Sequence, residues 1–255
     1  MGKNKNILII GDTIVDRYIF LEAVGLSLEY PCIKSNYLYE NIEYGGAANV
    51  AKYASLFGCN VTFLTAVSKI SEKYLNKAYD FKIINIIQTK DNTKTRYLLN
   101  KNSTSYQYLQ VNDTNFLVNL SYPEINFSEY ECIAFSDYRF GLINKLLIDK
   151  IIKTSITTFA ASQVSSNGSN FDMYSQIDYI VCNEHESSYL TSIDNAYITK
   201  GENGCSFKNK HYKAYEPSIV KKIIGAGDCF YAALLAYEDP DKANKLASDY
   251  ISGKI

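Results

Sequence analysis

Short apolar runs alternate along this chain with stretches of helical spacing. Residues 6–10 (NILII) read as a buried strand that ends in Gly11-Asp12. Residues 46–57 (GAANVAKYASLF) carry small and apolar side chains at helical spacing and stop at Gly58, a natural left-handed cap. Residues 61–67 (VTFLTAV) are apolar on both faces, as an inner parallel strand must be. The rhythm repeats as strand 132–136, helix 142–153, strand 156–160, strand 179–182, helix 184–190 and strand 196–199. A glycine-rich turn then leads into helices over 228–237 and about 242–250. Strands alternating with helices predict an α/β fold, a central mostly parallel sheet flanked by helices.

Two regions break the rhythm. Residues 31–44 (PCIKSNYLYENIEY) and 95–111 (TRYLLNKNSTSYQYLQV) alternate in period two, the second around a turn-forming Asn-Lys-Asn-Ser. Half-exposed antiparallel strands are expected there, forming a small antiparallel β lid inserted at about 17–44 and 94–112 of one domain spanning 1–255. Lids close over substrates and exclude water. The apolar outer face of this one suits pairing with a second subunit, hence a homodimer.

Composition narrows the classes. Twenty-six Lys and Arg against 27 Asp and Glu give a net charge of −1, with no global attraction to nucleic acid or an anionic membrane. No apolar run approaches the ~20 residues that cross a bilayer. The opening MGKNKNILIIGD meets Gly11-Asp12 too soon for a secretory segment, so a cytoplasmic location is expected. Six well-separated cysteines with no CxxC pair read as reduced core residues. With only His185 and His211, a multi-histidine metal site is excluded.

Six segments have the makings of a site. In Gly225-Ala226-Gly227-Asp228, the glycines let backbone approach a ligand and the following helix offers free N–H groups to phosphate. Asp228 stands beside such a phosphate as a proton acceptor; equally, the tetrapeptide is a tight turn with an acid near a helix start. Thr199-Lys-Gly201-Glu-Asn-Gly204 is either a hairpin turn or a nucleotide wall. Asn183-Glu-His-Glu186 follows a strand at its carboxyl end, where ligands of open sheets gather. It is either a helix cap or an organiser of hydrated Mg²⁺. Gly45-Gly46-Ala-Ala-Asn49 pairs close backbone approach with an amide for sugar hydroxyls, or is plain helix–sheet packing. Asp12 and Asp16 are polyol acceptors or solvated acids. Lys94 and Arg96, two apart on a strand, share a face and suit a phosphate, unless they only guard an edge.

In order, these blocks resemble the ribokinase family, the phosphofructokinase-B type of carbohydrate kinases, from Ile7 to about Lys254. Within it, GDTIVDRY (11–18), GGAANVAKYASLFG (45–58), TKTR (93–96), SDY (136–138) and SQVSS (162–166) look like the bacterial heptose 7-phosphate kinase branch. The resemblance implies ATP-dependent phosphorylation of a hydroxyl on a sugar or sugar phosphate, in nucleotide-heptose or surface polysaccharide synthesis. It implies Asp228 as base and the backbone of Gly225, Ala226 and Gly227 as anion hole. It further implies Asn183 and Glu186 for Mg²⁺, and Thr199, Gly201 and Gly204 for ATP. Asp12, Asp16, Gly45, Gly46 and Asn49 would face the sugar, with Lys94 and Arg96 near its distal phosphate.

The chain departs from the pattern at Ile224 and Cys229, where Thr is usual, and at Ala161, where Asp is frequent. Little chain follows Asp228, so a short adenine-side wall is expected. These departures keep open a second reading, a catalytically weakened kinase-like protein that binds a sugar phosphate or nucleotide. A dinucleotide oxidoreductase is disfavoured: Gly11-Asp12 after the first strand lacks the fingerprint glycines.

Overall fold

The computed structural model describes residues 4–101, 104–118, 120–166 and 168–255. Residues 102–103 of the expected Asn-Lys-Asn-Ser turn lie outside the described residues, as do residues 1–3 of the opening segment. In chain order the first elements are β1 (Asn6–Gly11), β2 (Thr13–Leu26), β3 (Ile33–Gly46), α1 (Ala47–Leu56), β4 (Asn60–Thr65), α2 (Lys69–Ala78) and β5 (Lys82–Asn85). Next come β6 (Asn92–Lys101), β7 (Thr104–Asp113), β8 (Cys132–Asp137), α3 (Lys145–Ile151), β9 (Thr157–Ser162), β10 (Tyr179–Asn183) and α4 (Glu184–Ser187). The last are β11 (Ala196–Thr199), β12 (Cys205–Phe207), β13 (Lys210–Tyr212), α5 (Ala226–Tyr237) and α6 (Pro240–Ile251).

A nine-stranded sheet in the order β13-β12-β11-β10-β9-β8-β1-β4-β5 forms the core. Every pairing from β11 to β5 is parallel, and only the β11–β12 and β12–β13 pairings at one edge are antiparallel. The apolar run of β1 explains its central place. Ile7 and Ile9 enter the cluster shared with α1, α5 and α6, while Leu8 and Ile10 enter the opposite cluster with α3. All four are fully buried, each contributing about 2 kcal/mol or more of apolar transfer. Alternation in a strand buried on both faces yields one unbroken apolar run, which is what the sequence displays.

The second sheet, ordered β3-β2-β6-β7, is the lid. Its two hairpins are antiparallel as expected, but their first strands, β2 and β6, pair in parallel. Both leave the core at buried feet, β2 ending exposed and β6 turning half-buried beyond Arg96, so lying side by side they must run the same way. β2 carries the expected lid insertion back to Thr13, and α2 and β5 are additional elements; α2 is amphipathic, with Ser71 and Leu75 on its buried side.

Other corrections are local. α3 starts three residues later than expected because the Asn144 side chain caps it, accepting from the Leu147 amide at 3.0 Å. The helix expected over 184–190 ends at Ser187. Cysteines 59, 132, 182, 205 and 229 are buried free thiols, but Cys32 is exposed near the lid tip. Among the described residues no helix is long and apolar enough to cross a membrane.

Candidate active site

The head of α5 is built by a backbone turn. Gly225 caps it with φ of 93°, and a Cβ there would stand 2.7 Å from the Tyr250 hydroxyl. Conformation and space therefore both require glycine. The Ala226 amide turns back onto the Ile223 carbonyl at 3.1 Å, and Tyr250 donates to the Ile224 carbonyl at 2.5 Å. Among the described residues, the amides of Gly227 and Asp228 have no acceptor. They form the positive end of a twelve-residue helix dipole.

Asp228 is half-buried there and lines a cavity of about 150 Å³. The Asn49 amide donates to its Oδ2 at 3.1 Å, and the Tyr138 hydroxyl donates to its Oδ1 at 3.2 Å. Burial raises the Asp228 pKa to about 6, while those two donors and the charge of Lys94 hold it down. The group is thus mostly ionised at neutral pH and still a competent proton acceptor.

On the lid side, strand register places the polar groups. Asp16 stands opposite Lys94 and Tyr18 opposite Arg96, so all four side chains share one face of the lid. Arg96 Nη1 donates to Asp16 Oδ1 at 2.5 Å, with the Asp16 and Arg96 side chains only 14% and 8% exposed. Arg96 also lies over the Tyr18 ring, 5.1 Å from its centroid. Gly45 is pressed against the Asp16 carboxylate, which leaves no room for a Cβ. Gly46 caps α1, whose next turn carries Asn49 to Asp228.

Asp12 sits deeper than the sugar-facing role expects. It is 3% exposed, and its Oδ2 accepts from the amides of Tyr138 at 2.9 Å and Phe140 at 3.3 Å. Burial, then the charge of Asp137, pushes its pKa to about 7, against the pull of those amides. Its geometry is that of a pin holding the loop after β8.

On the opposite wall, Asn183 and Glu186 form the cap anticipated from sequence. The Glu186 amide donates to Asn183 Oδ1 at 2.8 Å, and the Asn183 amide donates to Glu186 Oε2 at 2.9 Å. Both residues nevertheless line the cavity of Asp228, and burial raises the Glu186 pKa. Among the described residues no three His, Cys, Asp or Glu side chains converge on a metal position. One carboxylate and one amide oxygen fit a Mg²⁺ that keeps most of its water, not an all-protein cage.

Thr199 reaches the same cavity, its hydroxyl donating to the Cys182 carbonyl at 3.2 Å. Gly201 and Gly204 do not line it. They shape the turn between β11 and β12, where the Lys200 amide donates to the Gly204 carbonyl at 2.7 Å.

Two further residues matter here. Tyr138 bonds Asp228, and the neighbouring Asp137 is a buried hub that accepts from Tyr174 at 2.6 Å, Asn170 at 2.7 Å and the Arg139 amide at 2.7 Å. The signal was their place at the carboxyl end of a parallel strand, the rule that singled out Asn183.

A model described as pfkB family carbohydrate kinase matches residues 4–237. The bifunctional protein HldE of Sulfurimonas denitrificans is 23% identical over an alignment covering 98% of this chain and 61% of that protein. HldE of Campylobacter jejuni subsp. doylei is 28% identical, with 89% of this chain and 55% of that protein covered. The chain thus spans little more than half the length of these curated relatives. The solved structure of Arabidopsis thaliana ribokinase complexed with ribose and ATP matches with a TM-score of 0.72 at 12% identity, covering 98% of this chain and 92% of that one. At that identity the likeness speaks for the fold, which is ribokinase-like. With the family model covering most of its length, the chain belongs to the pfkB family of carbohydrate kinases.

Proposed function

We propose that this kinase transfers the γ-phosphoryl group of ATP to a hydroxyl of a sugar phosphate, in first place a heptose 7-phosphate. The observation that carries the chemistry is the head of α5, where the Asp228 carboxylate adjoins amides of Gly227 and its own residue that have no acceptor among the described residues. Asp228 takes the proton of the acceptor hydroxyl as its oxygen attacks phosphorus, and ADP departs with the bond that breaks. The two amides stabilise charge on the migrating group, the kind of help phosphoryl transfer needs most. Mg²⁺ held near Asn183 and Glu186 would neutralise phosphate charge when bound. Thr199 lines the donor side, while Asp16, Gly45, Gly46 and Asn49 border the acceptor.

The heptose reading draws on the SDY and TKTR segments and on the HldE relatives. Its test is a panel of sugars and sugar phosphates with MgATP, scored by ADP formation. Heptose 7-phosphates should give the highest kcat/KM. A clear preference for unphosphorylated sugars, or ADP formed with no acceptor on the panel, would reject the reading. A homodimer through the lid is part of the proposal, since Leu26, Ile33, Tyr37 and Tyr39 lie exposed there. Light scattering that finds only a monomer at micromolar concentration would remove that part.

A further inference from the structure

Asp12 is a buried carboxylate that the chemistry at Asp228 leaves unused. It is 3% exposed and lines neither the catalytic cavity nor the larger one, of about 350 Å³, beside it. What Asp12 does touch are the two arms that hold Asp228. Its carbonyl accepts from the Ala47 amide at 3.0 Å, and Ala47 opens the helix that carries Asn49 to Asp228 Oδ2. Its Oδ2 accepts from the Tyr138 amide at 2.9 Å, and the Tyr138 hydroxyl donates to Asp228 Oδ1.

The second arm is held the more tightly. The Asp12 amide donates to the Ser136 carbonyl at 3.2 Å, so Asp12 also grips the end of β8 through its backbone. Beyond it, the amides of Tyr138, Arg139 and Phe140 all end on a buried carboxylate. Asp12 takes the first and third, and Asp137 takes the second at 2.7 Å. Arg139 sits at φ of 67°, a left-handed conformation that is costly for a residue with a side chain. Three amides so bound keep that turn in place, and the turn sets the direction of the Tyr138 ring. An ionised acceptor makes bonds about twice as strong as a neutral one. That gain offsets the burial that opposes the charge of Asp12.

We propose that Asp12 is the positioning residue of the base: its carboxylate fixes the loop after β8 so that the Tyr138 hydroxyl meets Asp228. The proposal rests on the reading of Asp228 as proton acceptor and adds what aims it. It replaces the sugar-facing role that the resemblance implies for Asp12. The two roles separate in kinetics. A group acting through Tyr138 changes kcat and the pH profile, whereas a group that binds sugar changes the acceptor KM.

The test uses Asp12→Ala, which removes the hold on the loop, and Asp12→Asn, which removes the charge and keeps an acceptor. Both leave the backbone bond to Ala47 in place. Carboxyl-carbon NMR, assigned against Asp228→Asn, follows the titration of Asp228 beside kcat and KM. Of the other titratable groups around Asp228, Asp16 and Lys94 act from the lid, Tyr53 from α1, Tyr250 from α6 and Cys229 from its own helix. Asp137, Tyr122 and Tyr174 face Asp12. The variants leave all of them in place.

In Asp12→Ala the Asp228 pKa should rise above about 6, by roughly half to one pH unit, and kcat should fall roughly three- to tenfold. The acceptor KM should stay within about twofold. Asp12→Asn should bring both back toward wild type. Loss of a negative charge alone would lower the Asp228 pKa, so the sign separates positioning from charge. In a Tyr138→Phe background, Asp12→Ala should shift the titration no further. An unmoved titration in Asp12→Ala, equal shifts in both variants, additivity with Tyr138→Phe, or a raised acceptor KM with kcat intact would each overturn the proposal. If Asp12→Ala does not fold, Asp12→Ser, too short to span the two amides, takes its place with the same expected rise. If the titration moves as expected while Asp228→Asn turns over normally, the reading of Asp228 as base falls and the positioning by Asp12 stands.

Discussion

The hydroxyl of Tyr138 donates to Oδ1 of Asp228 at 3.2 Å, joining the end of β8 to the head of α5 across 90 residues of chain. With Asn49 on the other oxygen, the carboxylate is oriented by two donors that both favour its charged form. Tyr138→Phe removes one of them. The Asp228 pKa should then rise above about 6, and the acidic limb of kcat/KM against pH should move upward with it. Turnover near neutrality should fall by roughly three- to tenfold, the scale of one lost hydrogen bond. Superimposable pH profiles for variant and wild type would show that the bond does not tune the base.

Asp228→Asn should lower kcat by roughly 10²- to 10⁴-fold, the usual contribution of a positioned base. The melting temperature should hold or rise, because a half-buried charge is removed. The proposed base acts in its ionised form, so wild-type kcat/KM should decline as pH falls through about 6. Near-normal turnover by the variant would reject Asp228 as the proton acceptor.

The Asp16–Arg96 pair is short and nearly enclosed. Removing either partner strands the other in a place that water barely reaches. Arg96→Met alone should destabilise by about 3 kcal/mol, and Asp16→Asn with Arg96→Met should recover part of that. Urea unfolding of the four proteins of the cycle measures the coupling. Additive single effects would mean the pair acts as two independent surface groups.

Asp12 makes stability depend on pH in the less familiar direction. Its pKa is about 7 in the folded chain against 3.8 for an ordinary aspartate. The folded state therefore binds the proton more tightly than the unfolded one. Its contribution is complete below pH 3.8, is lost as pH rises, and levels off above about 7. Asp12→Asn mimics the protonated form and retains an acceptor for the Tyr138 and Phe140 amides. It should melt above wild type at pH 8, with the gap closing toward pH 4. A gap that is constant with pH would contradict the shift.

Much of the fold was legible because its determinants are local. The both-face apolar runs of β1, β4 and β8 could only be inner strands, and the glycine turn before Asp228 could only open a helix. The cap by Asn183 and Glu186 was readable from three residues' spacing, and the structure makes that bond in both directions. The lid was half legible. Period two marked β3, β6 and β7, but β2 mixes Asp, Arg, aromatic and aliphatic residues because its burial fades along its length.

What sequence alone determined about this protein is its layered α/β core, its family and the order of its chemical blocks, since these follow from spacing within a few residues. Tertiary structure decided the partnerships: Tyr138 with Asp228, Arg96 with Asp16, and Asp12 beneath the loop after β8. Those pairs join residues as much as 128 positions apart. Their meeting depends on strand register and on which strands cross between sheets, and a shift of one residue would turn every lid side chain to the other face. No short-range pattern encodes that choice, because it is made by the packing of the whole chain.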